Sequence, residues 1–189
     1  MSRPVFDAVV PAGGASGRMG VTDKTALPVG DLTMLDRTLA ALGDAGTVVV
    51  VGSERTTTRD VVWCREQPPG AGPAAAVATG LAEVRAGYVV LVAADLPLLD
   101  AAHVRALVSA LDARPELDGV VAVDRASRPQ WLTSAWRTEV LRTAALVEGG
   151  SMRAALADLR WAPLQTADAN ALLDCDTPAD LDRARELTT

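Results

Sequence analysis

The sequence predicts an α/β fold in which a parallel β-sheet is covered by helices on both faces. Short apolar runs rich in valine recur along the chain, as expected for strands that are buried on both sides. Four such runs are Phe6–Val10, Thr47–Val51, Tyr88–Ala93 and Gly119–Val123. Helical stretches lie between them, and strands that alternate with helices are typical of βαβ units around a parallel sheet.

Capping residues mark the helices that separate these strands. We expect helices over Thr33–Ala45, Pro73–Arg85 and Ala101–Ala113. Asp100 is placed to cap the third helix, and Pro73 follows Gly72 at a first-turn position where the missing N–H of proline carries no penalty. A last helix is expected at Thr177-Pro-Ala-Asp180, which combines a capping threonine, a first-turn proline and an acidic residue three positions on.

Less regular patterns occupy the last third of the chain. We interpret Arg128–Arg137 as a strand, Ser151–Leu159 as a helix and Trp161–Gln165 as a late strand. The sequence contains no internal repeat, low-complexity segment or linker, so we expect one domain over residues 1–189. That length is sufficient to bury a substantial core.

Composition excludes several classes of protein. A net charge of −6 without a basic run argues against nucleic-acid binding. No apolar run approaches about 18 residues and the N-terminus lacks an apolar leader, so we expect no membrane segment and a reducing, cytoplasmic location. Cys64 and Cys175 have no CxxC spacing, which indicates neither a zinc site nor a disulfide framework.

A glycine-rich loop follows the first strand, at the edge where open α/β sheets bind ligands. It reads Ala12-Gly-Gly-Ala-Ser-Gly-Arg-Met-Gly-Val-Thr-Asp-Lys24, and Lys24 is the sole lysine among the 18 basic residues of the chain. Its backbone N–H groups are able to form a nest for phosphate oxygens, to which Arg18 and Lys24 add charge-assisted contacts. The alternative is a flexible surface loop.

Two common nucleotide motifs do not fit this sequence. Asp23 precedes Lys24 where a Walker A motif requires glycine, and no G-x-G-x-x-G follows the first strand. The looser match that begins at Gly70 follows Pro68-Pro69 instead of a strand. A P-loop enzyme and a dinucleotide-binding Rossmann enzyme are therefore disfavoured.

Acidic residues follow two other elements. Ala94-Asp95-Leu96-Pro97 follows Tyr88–Ala93. A carboxylate at this strand end suits Mg²⁺, an ion that prefers one or two carboxylates plus substrate phosphates. The alternative for Asp95 is a turn former before Pro97. Asp174 and Asp176 precede the last helix, where helix capping and a metal or ribose contact are both consistent with the sequence.

Three further positions have a functional and a structural interpretation. Gly72 would let the backbone approach a nucleotide, whereas the small residues after it also suit close helix–sheet packing. Glu66 could accept a hydrogen bond from a ribose or base, or it could be a solvated loop charge. His103 lies in a helix away from the glycine loop and is interpreted as structural. A phosphate monoester is largely ionised at neutral pH and needs no histidine base.

Four segments resemble the molybdenum cofactor guanylyltransferases in their order and spacing. They are the glycine loop through Lys24, Gly72-Pro73, Asp95-Leu-Pro97 and Asp174-Cys-Asp-Thr-Pro178. The resemblance runs over nearly the whole chain. It implies a three-layer Rossmann-like nucleotidyltransferase fold with a mostly parallel mixed sheet. The implied activity is transfer of GMP from Mg-GTP to the terminal phosphate of molybdopterin, with release of pyrophosphate.

The resemblance also assigns residues. Nucleotide contacts are expected from Pro11, Ala12, Gly13, Gly14, Lys24, Glu66, Gly72 and Asp95. Mg²⁺ is expected on Asp95, with Asp176 as a further candidate, and Lys24, Arg18 and Asp95 carry the catalytic roles. Independently of the resemblance, the candidates for acceptor binding are Arg128, Gln130 and Arg153, because they follow late elements that we expect to face the same edge of the sheet.

The sequence departs from the family pattern at a few of these positions. The family usually has leucine where this chain has Pro11, and asparagine is more frequent at Asp174 and Asp176. Related cytidylyltransferases typically have Ala-Ala-Gly at Ala12-Gly13-Gly14, so guanine is favoured over cytosine.

Two alternatives stay open. The enzyme could be a cytidylyltransferase or another nucleotidyltransferase with a different phosphorylated acceptor. The chain could also be a non-catalytic nucleotide-binding regulator. The implied partners are GTP and molybdopterin, or the molybdenum cofactor, with transient contacts to proteins that deliver or accept the cofactor.

Overall fold

The computed structural model describes residues 4–13, 23–166, 168 and 170–188. The strands are β1 (Phe6–Pro11), β2 (Pro28–Val29), β3 (Leu32–Thr33), β4 (Val48–Val51), β5 (Val62–Cys64), β6 (Tyr88–Val92), β7 (Gly119–Val123), β8 (Pro129–Arg137) and β9 (Trp161–Gln165). The helices are α1 (Met34–Ala41), α2 (Pro73–Leu81), α3 (Ala101–Asp112), α4 (Thr138–Thr143), α5 (Met152–Leu156) and α6 (Pro178–Glu186), with a 3₁₀ helix at Lys24–Ala26. Within these residues, seven strands form one sheet in the order β5-β4-β1-β6-β8-β7-β9, and β2 and β3 form a separate hairpin.

The sheet is mixed, although the apolar pattern by itself predicted a parallel one. Neighbouring strands run parallel except at β8, which is antiparallel to both β6 and β7. β8 reverses direction because a tight turn joins it to β7, in which the Asp124 N–H donates to the Arg128 carbonyl at 3.1 Å. A connection this short permits only antiparallel pairing. The mostly parallel mixed sheet that the family resemblance implied is confirmed.

Helices cover both faces of the sheet and produce three layers. Val10 of β1 packs in a core with leucines of α1 and α3, such as Leu39 and Leu107. The adjacent Val9 points to the opposite face and packs with residues of α2 and α4, including Val77 and Leu141. A smaller core joins the β2–β3 hairpin to α6. The valine-rich runs are therefore buried on both sides, as predicted.

The predicted capping residues occupy the predicted positions. The Asp100 carboxylate accepts a hydrogen bond from the His103 N–H at 2.7 Å, and Thr177 forms a capping box with Asp180. Pro73 occupies the first turn of α2. None of the helices in the described part of the chain has the length and apolar character that crossing a bilayer requires.

Element boundaries and the shortest elements were predicted less well. α1 and α2 end at Ala41 and Leu81, earlier than the predicted Ala45 and Arg85, and α5 is shorter at both ends than Ser151–Leu159. The β2–β3 hairpin, the edge strand β5 and helix α4 were not predicted. Each of them spans six residues or fewer, too few for an apolar period to be recognised.

Candidate active site

The candidate site is a cleft at the edge of the sheet where β1 and β6 end. Because these strands are parallel neighbours, the residues that follow each of them lie side by side. The cleft has a volume of about 240 Å³. Its lining comes from four segments that are distant in sequence: Pro11–Gly13, Asp23–Thr25, Ala93–Asp95 and Asp176, together with Pro73, Ala76 and Leu132.

Lys24 lies between two carboxylates in this cleft. Its Nζ is 2.5 Å from Oδ2 of Asp95 and 2.6 Å from Oδ1 of Asp176. Burial by itself lowers the pKa of Lys24, but the charge of Asp95 and the hydrogen bonds to both carboxylates outweigh that effect and raise the pKa above its usual value. Lys24 is therefore a fixed positive charge at neutral pH.

A network of side chains fixes the backbone on both sides of Lys24. Asp23 caps the 3₁₀ helix: its Oδ1 accepts hydrogen bonds from the N–H of Thr25 at 3.0 Å and from Oγ1 of Thr25 at 2.7 Å. Arg55 forms an ion pair with Asp23 and donates to Oγ1 of Thr25 at 2.6 Å. Arg55 and Asp23 were not recognised from the sequence, because nothing local links the loop after β4 to the loop after β1.

The acidic segment before α6 is joined to the end of β6. The N–H of Cys175 donates to the carbonyl of Asp95 at 3.1 Å, which brings Asp174 and Asp176 to either side of that contact. Burial, together with the charge of Asp95, raises the pKa of the Asp174 carboxyl. Burial likewise raises the pKa of the Cys175 thiol to about 12, so this cysteine is not a nucleophile at neutral pH.

Glu66 is a buried carboxylate next to the glycine loop. Its side chain is not the solvated loop charge that the sequence left open, because only 3% of the residue is exposed. Oε1 accepts a hydrogen bond from the Gly70 N–H at 3.0 Å, whereas the buried Oε2 has no hydrogen-bond partner within the described residues. A Cβ atom placed on Gly13 would lie 3.4 Å from Oε1, so the carboxylate lies within contact distance of the chain at Gly13.

Gly72 and Pro73 form the start of α2 at the same edge of the sheet. Gly72 has a φ of +94°, which disfavours a side chain, and Pro73 lines the cleft. The residues after them serve mainly close packing, since Ala74, Ala76 and Val77 are buried in the core. A nucleotide contact from Gly72 remains a prediction.

A second cavity of about 460 Å³ adjoins the cleft and shares Asp95, Asp176, Pro73 and Leu132 with it. Gln130 and Arg153 line this second cavity, and their role in acceptor binding stays a prediction. The β7–β8 pairing shifts register after Val121, where the partners step from Ser134 to Gln130, and the β8 residues of this irregular stretch line the cavity.

Arg128 lies in a neighbouring trough of about 680 Å³ rather than in the second cavity. Its side chain is 77% exposed and pairs with Asp124 at 2.7 Å. The structure therefore places Gln130 and Arg153 in the cavity that Asp95 also lines, whereas Arg128 lies in the neighbouring trough. Gly14 and Arg18, both predicted in the phosphate loop, lie outside the described residues.

His103 has the structural role that the sequence predicted. It is a buried residue of α3, and burial lowers the pKa of its imidazole despite the charges of Asp100 and Asp168. It does not line the cleft.

The donor set of the cleft fits a magnesium ion that is shared with a substrate. Among residues 4–13, 23–166, 168 and 170–188, no group of three or more His, Cys, Asp or Glu side chains is arranged to hold a metal by itself. Asp95 and Asp176 nevertheless present oxygens to one common cation, the Lys24 ammonium, at 2.5 and 2.6 Å. Two carboxylates completed by substrate phosphates are the set that Mg²⁺ commonly uses.

Comparison with known proteins agrees with this architecture. The model of the MobA-like NTP transferase domain matches residues 8–160. A probable molybdenum cofactor guanylyltransferase from Synechococcus elongatus is 32% identical over 188 residues, covering 93% of this chain and 95% of the relative.

Two solved structures share the fold at low sequence identity. A nucleotidyl transferase from Methanothermobacter superposes with a TM-score of 0.79 at 19% identity, with 97% of each chain covered. A 2-C-methyl-D-erythritol 4-phosphate cytidylyltransferase from Thermus thermophilus has a TM-score of 0.75 at 21% identity, covering 97% of this chain and 98% of that one. At these identities, the two likenesses show the fold alone.

Proposed function

Since the chain belongs to the MobA-like NTP transferase family and is a nucleotidyltransferase of the molybdenum cofactor guanylyltransferase type, we propose that it transfers GMP from GTP to the terminal phosphate of molybdopterin. An acceptor phosphate oxygen attacks the α-phosphorus. A new P–O bond forms, the bond from the α-phosphorus to the bridging oxygen breaks, and pyrophosphate leaves with that oxygen. The observation that carries the proposal is Lys24 held between Asp95 and Asp176 beside the glycine loop.

The nucleotide triphosphate would lie in the cleft between Gly13 and Asp95. The loop N–H groups would position the phosphates, and Lys24 would offset the charge that develops on the leaving pyrophosphate. A terminal phosphate of the acceptor, with a second pKa near about 6, is ionised at neutral pH and needs no base. The absence of histidine among the described lining residues is consistent with that chemistry.

Asp95 and Asp176 would hold Mg²⁺ together with the nucleotide phosphates. When bound, the ion offsets the negative charge of the triphosphate and of the leaving group. The carboxylates themselves orient the phosphate chain, because Asp95 is fixed at the end of β6 and Asp176 at the start of α6. Catalysis by this chain is then mainly positioning and electrostatic stabilisation.

Glu66 supports guanine as the base. Guanine presents an N1–H and an exocyclic N2 amino group on one edge, and a carboxylate is able to accept from both donors. Glu66 has one buried oxygen without a hydrogen-bond partner among the described residues, next to Gly13. A buried carboxylate oxygen without a partner is destabilising, and two donors from the base would relieve that.

The second cavity supports an acceptor that approaches from the β8 side. Gln130 and Arg153 line it, and it opens onto Asp95. Arg153 would attract the acceptor phosphate, while the bulged segment of β8 forms the wall against which the rest of the acceptor packs.

A pyrophosphate-release assay with molybdopterin and each of GTP, CTP, ATP and UTP tests this function. Turnover is expected with GTP and Mg²⁺ and should be lost in Asp95→Ala. Turnover with CTP in place of GTP would identify a cytidylyltransferase. GTP binding without pyrophosphate release on any acceptor would favour a nucleotide-binding regulator.

A further inference from the structure

We propose that Arg55 is a positioning residue that acts through Lys24, holding the 3₁₀ helix at Lys24–Ala26 so that the ammonium group lies in the cleft. The inference rests on the proposed role of Lys24 in nucleotidyl transfer. Arg55 lies in the loop between β4 and β5 and is not one of the residues that line the cleft. Among the described residues, Arg55 is joined to the site through Asp23 and Thr25, on either side of Lys24.

The contacts of Arg55 flank Lys24 on both sides. One guanidinium nitrogen forms an ion pair with Asp23, and the other donates to Oγ1 of Thr25 at 2.6 Å. Asp23 and Thr25 are themselves joined by two hydrogen bonds, so the three side chains form a closed network around the backbone of Lys24. Release of Arg55 would leave the Asp23 carboxylate without this ion pair and Thr25 without this donor.

The C-terminal end of the 3₁₀ helix at Lys24–Ala26 is hydrogen-bonded to the start of α1. The Leu27 N–H donates to the Lys24 carbonyl at 3.1 Å, and the Met34 N–H donates to the Leu27 carbonyl at 2.9 Å. The 3₁₀ helix is thus held to α1 at its C-terminal end and to Arg55 at its N-terminal end. The contact with Arg55 is the one that sets the position of the 3₁₀ helix where it follows the glycine loop.

Arginine suits this position better than lysine. Its planar fork is able to meet two acceptors at once, whereas an ammonium group on a flexible stem lacks that fixed geometry. The guanidinium also lies 5.9 Å from the ring centroid of Trp63, which restricts it from the opposite face. Its side chain is 22% exposed and that of Asp23 is 38% exposed, so the ion pair is partly open to water and Arg55 is the more buried partner.

Kinetics of Arg55→Ala, compared with Arg59→Ala, test the proposal. Arg59 is a matched control in the same loop whose guanidinium bonds to the carbonyl of Leu42 at 2.6 Å, away from Lys24. We expect Arg55→Ala to lower kcat by about 10- to 100-fold, the size of effect that a small misplacement of a catalytic group produces, with a smaller change in KM. Arg59→Ala should leave kcat within about twofold of the wild type.

A double variant separates positioning from general destabilisation. In a Lys24→Ala background the substitution Arg55→Ala should change kcat little, because the group through which Arg55 acts is already gone. Added guanidinium ion should restore part of the activity of Arg55→Ala. Equal losses in both backgrounds, or an unchanged kcat in Arg55→Ala, would overturn the inference.

An NMR measurement makes the test independent of turnover. Because Lys24 is the sole lysine of the chain, lysine labelled with ¹³C and ¹⁵N gives one side-chain signal that reports its surroundings. This signal should shift in Arg55→Ala and stay in place in Arg59→Ala, whether or not molybdopterin is the acceptor. If the wild type fails to turn over but the signal shifts as expected, the proposed function fails and the positioning role stands; an unmoved signal rejects the positioning role.

Discussion

Removal of the Lys24 ammonium should lower both the turnover rate and the stability of the metal-free protein. At an effective dielectric constant of about 20, charges separated by the 2.6 Å between Lys24 and Asp176 attract by about 6 kcal/mol. Desolvation offsets much of this, and losing one partner of a buried pair costs about 3–5 kcal/mol. Because the Asp176 side chain is 33% exposed, we expect Lys24→Met to lower the free energy of unfolding by about 2–3 kcal/mol without Mg²⁺.

The same substitution should reduce kcat by about 10²–10³, since a preorganised charge that stabilises the leaving group is lost. Urea denaturation in EDTA and in millimolar Mg²⁺ measures the first effect, and pyrophosphate release measures the second. Mg²⁺ should restore part of the stability of Lys24→Met, because another cation then faces Asp95 and Asp176. Arg105→Met is the control, since Arg105 pairs with Asp44 at 3.0 Å on the surface and should change stability by less than about 1 kcal/mol.

Two outcomes would refute this reasoning. Near-normal turnover of Lys24→Met would remove the ammonium from the mechanism. Unchanged stability in EDTA would mean that the contacts of Lys24 with Asp95 and Asp176 do not stabilise the free protein.

Three further predictions concern other carboxylates. Asp95→Ala should abolish Mg²⁺-dependent turnover while the circular dichroism spectrum stays native; unchanged metal dependence would reject the assignment. Glu66→Gln should lower kcat/KM for GTP by about 10-fold or more, because the amide nitrogen cannot accept from guanine; equal losses for GTP and CTP would contradict base recognition. The hydrogen bond from Arg160 holds the pKa of Asp118 below its usual 3.8. The ionised Asp118 carboxylate therefore stabilises the fold above pH 3.8, and this stabilisation is lost as the pH falls through the lowered pKa. The difference in unfolding free energy between wild type and Arg160→Met should therefore shrink below pH 3.8; a difference independent of pH would contradict it.

Local signals in the sequence were sufficient for much of the fold and for part of the site. Valine-rich runs and capping residues such as Asp100 and Thr177 depend on near neighbours, and the structure has them where the pattern indicates. Asp95 was recognisable because it lies within a few residues of the end of the buried strand β6, where a carboxylate is costly to place unless it binds a cation or caps a turn. These features require no knowledge of which strands become neighbours.

Other features depend on contacts between distant residues. Lys24 and Asp176 are separated by 152 positions, and the ion pair between Arg55 and Asp23 joins two loops that only the strand order brings together. The burial of Glu66 likewise follows from the packing of its loop against Gly13. No local period or motif encodes such contacts, so the sequence could name the carboxylates but not the network that holds the lysine.

The arginine bias of the chain acquires a physical reason from this arrangement. Lys24 pairs with Asp95 and Asp176 in the free protein, and under the proposed function these two carboxylates would hold Mg²⁺ while the ammonium would offset the charge of the nucleotide phosphates. A lysine ammonium is a compact charge on a flexible stem, whereas the planar guanidinium fork of an arginine is suited to meet two acceptors at once. Arg55 contacts Asp23 and Thr25 through its two terminal nitrogens, and Lys24, the single lysine among 18 basic residues, supplies the ammonium in the cleft.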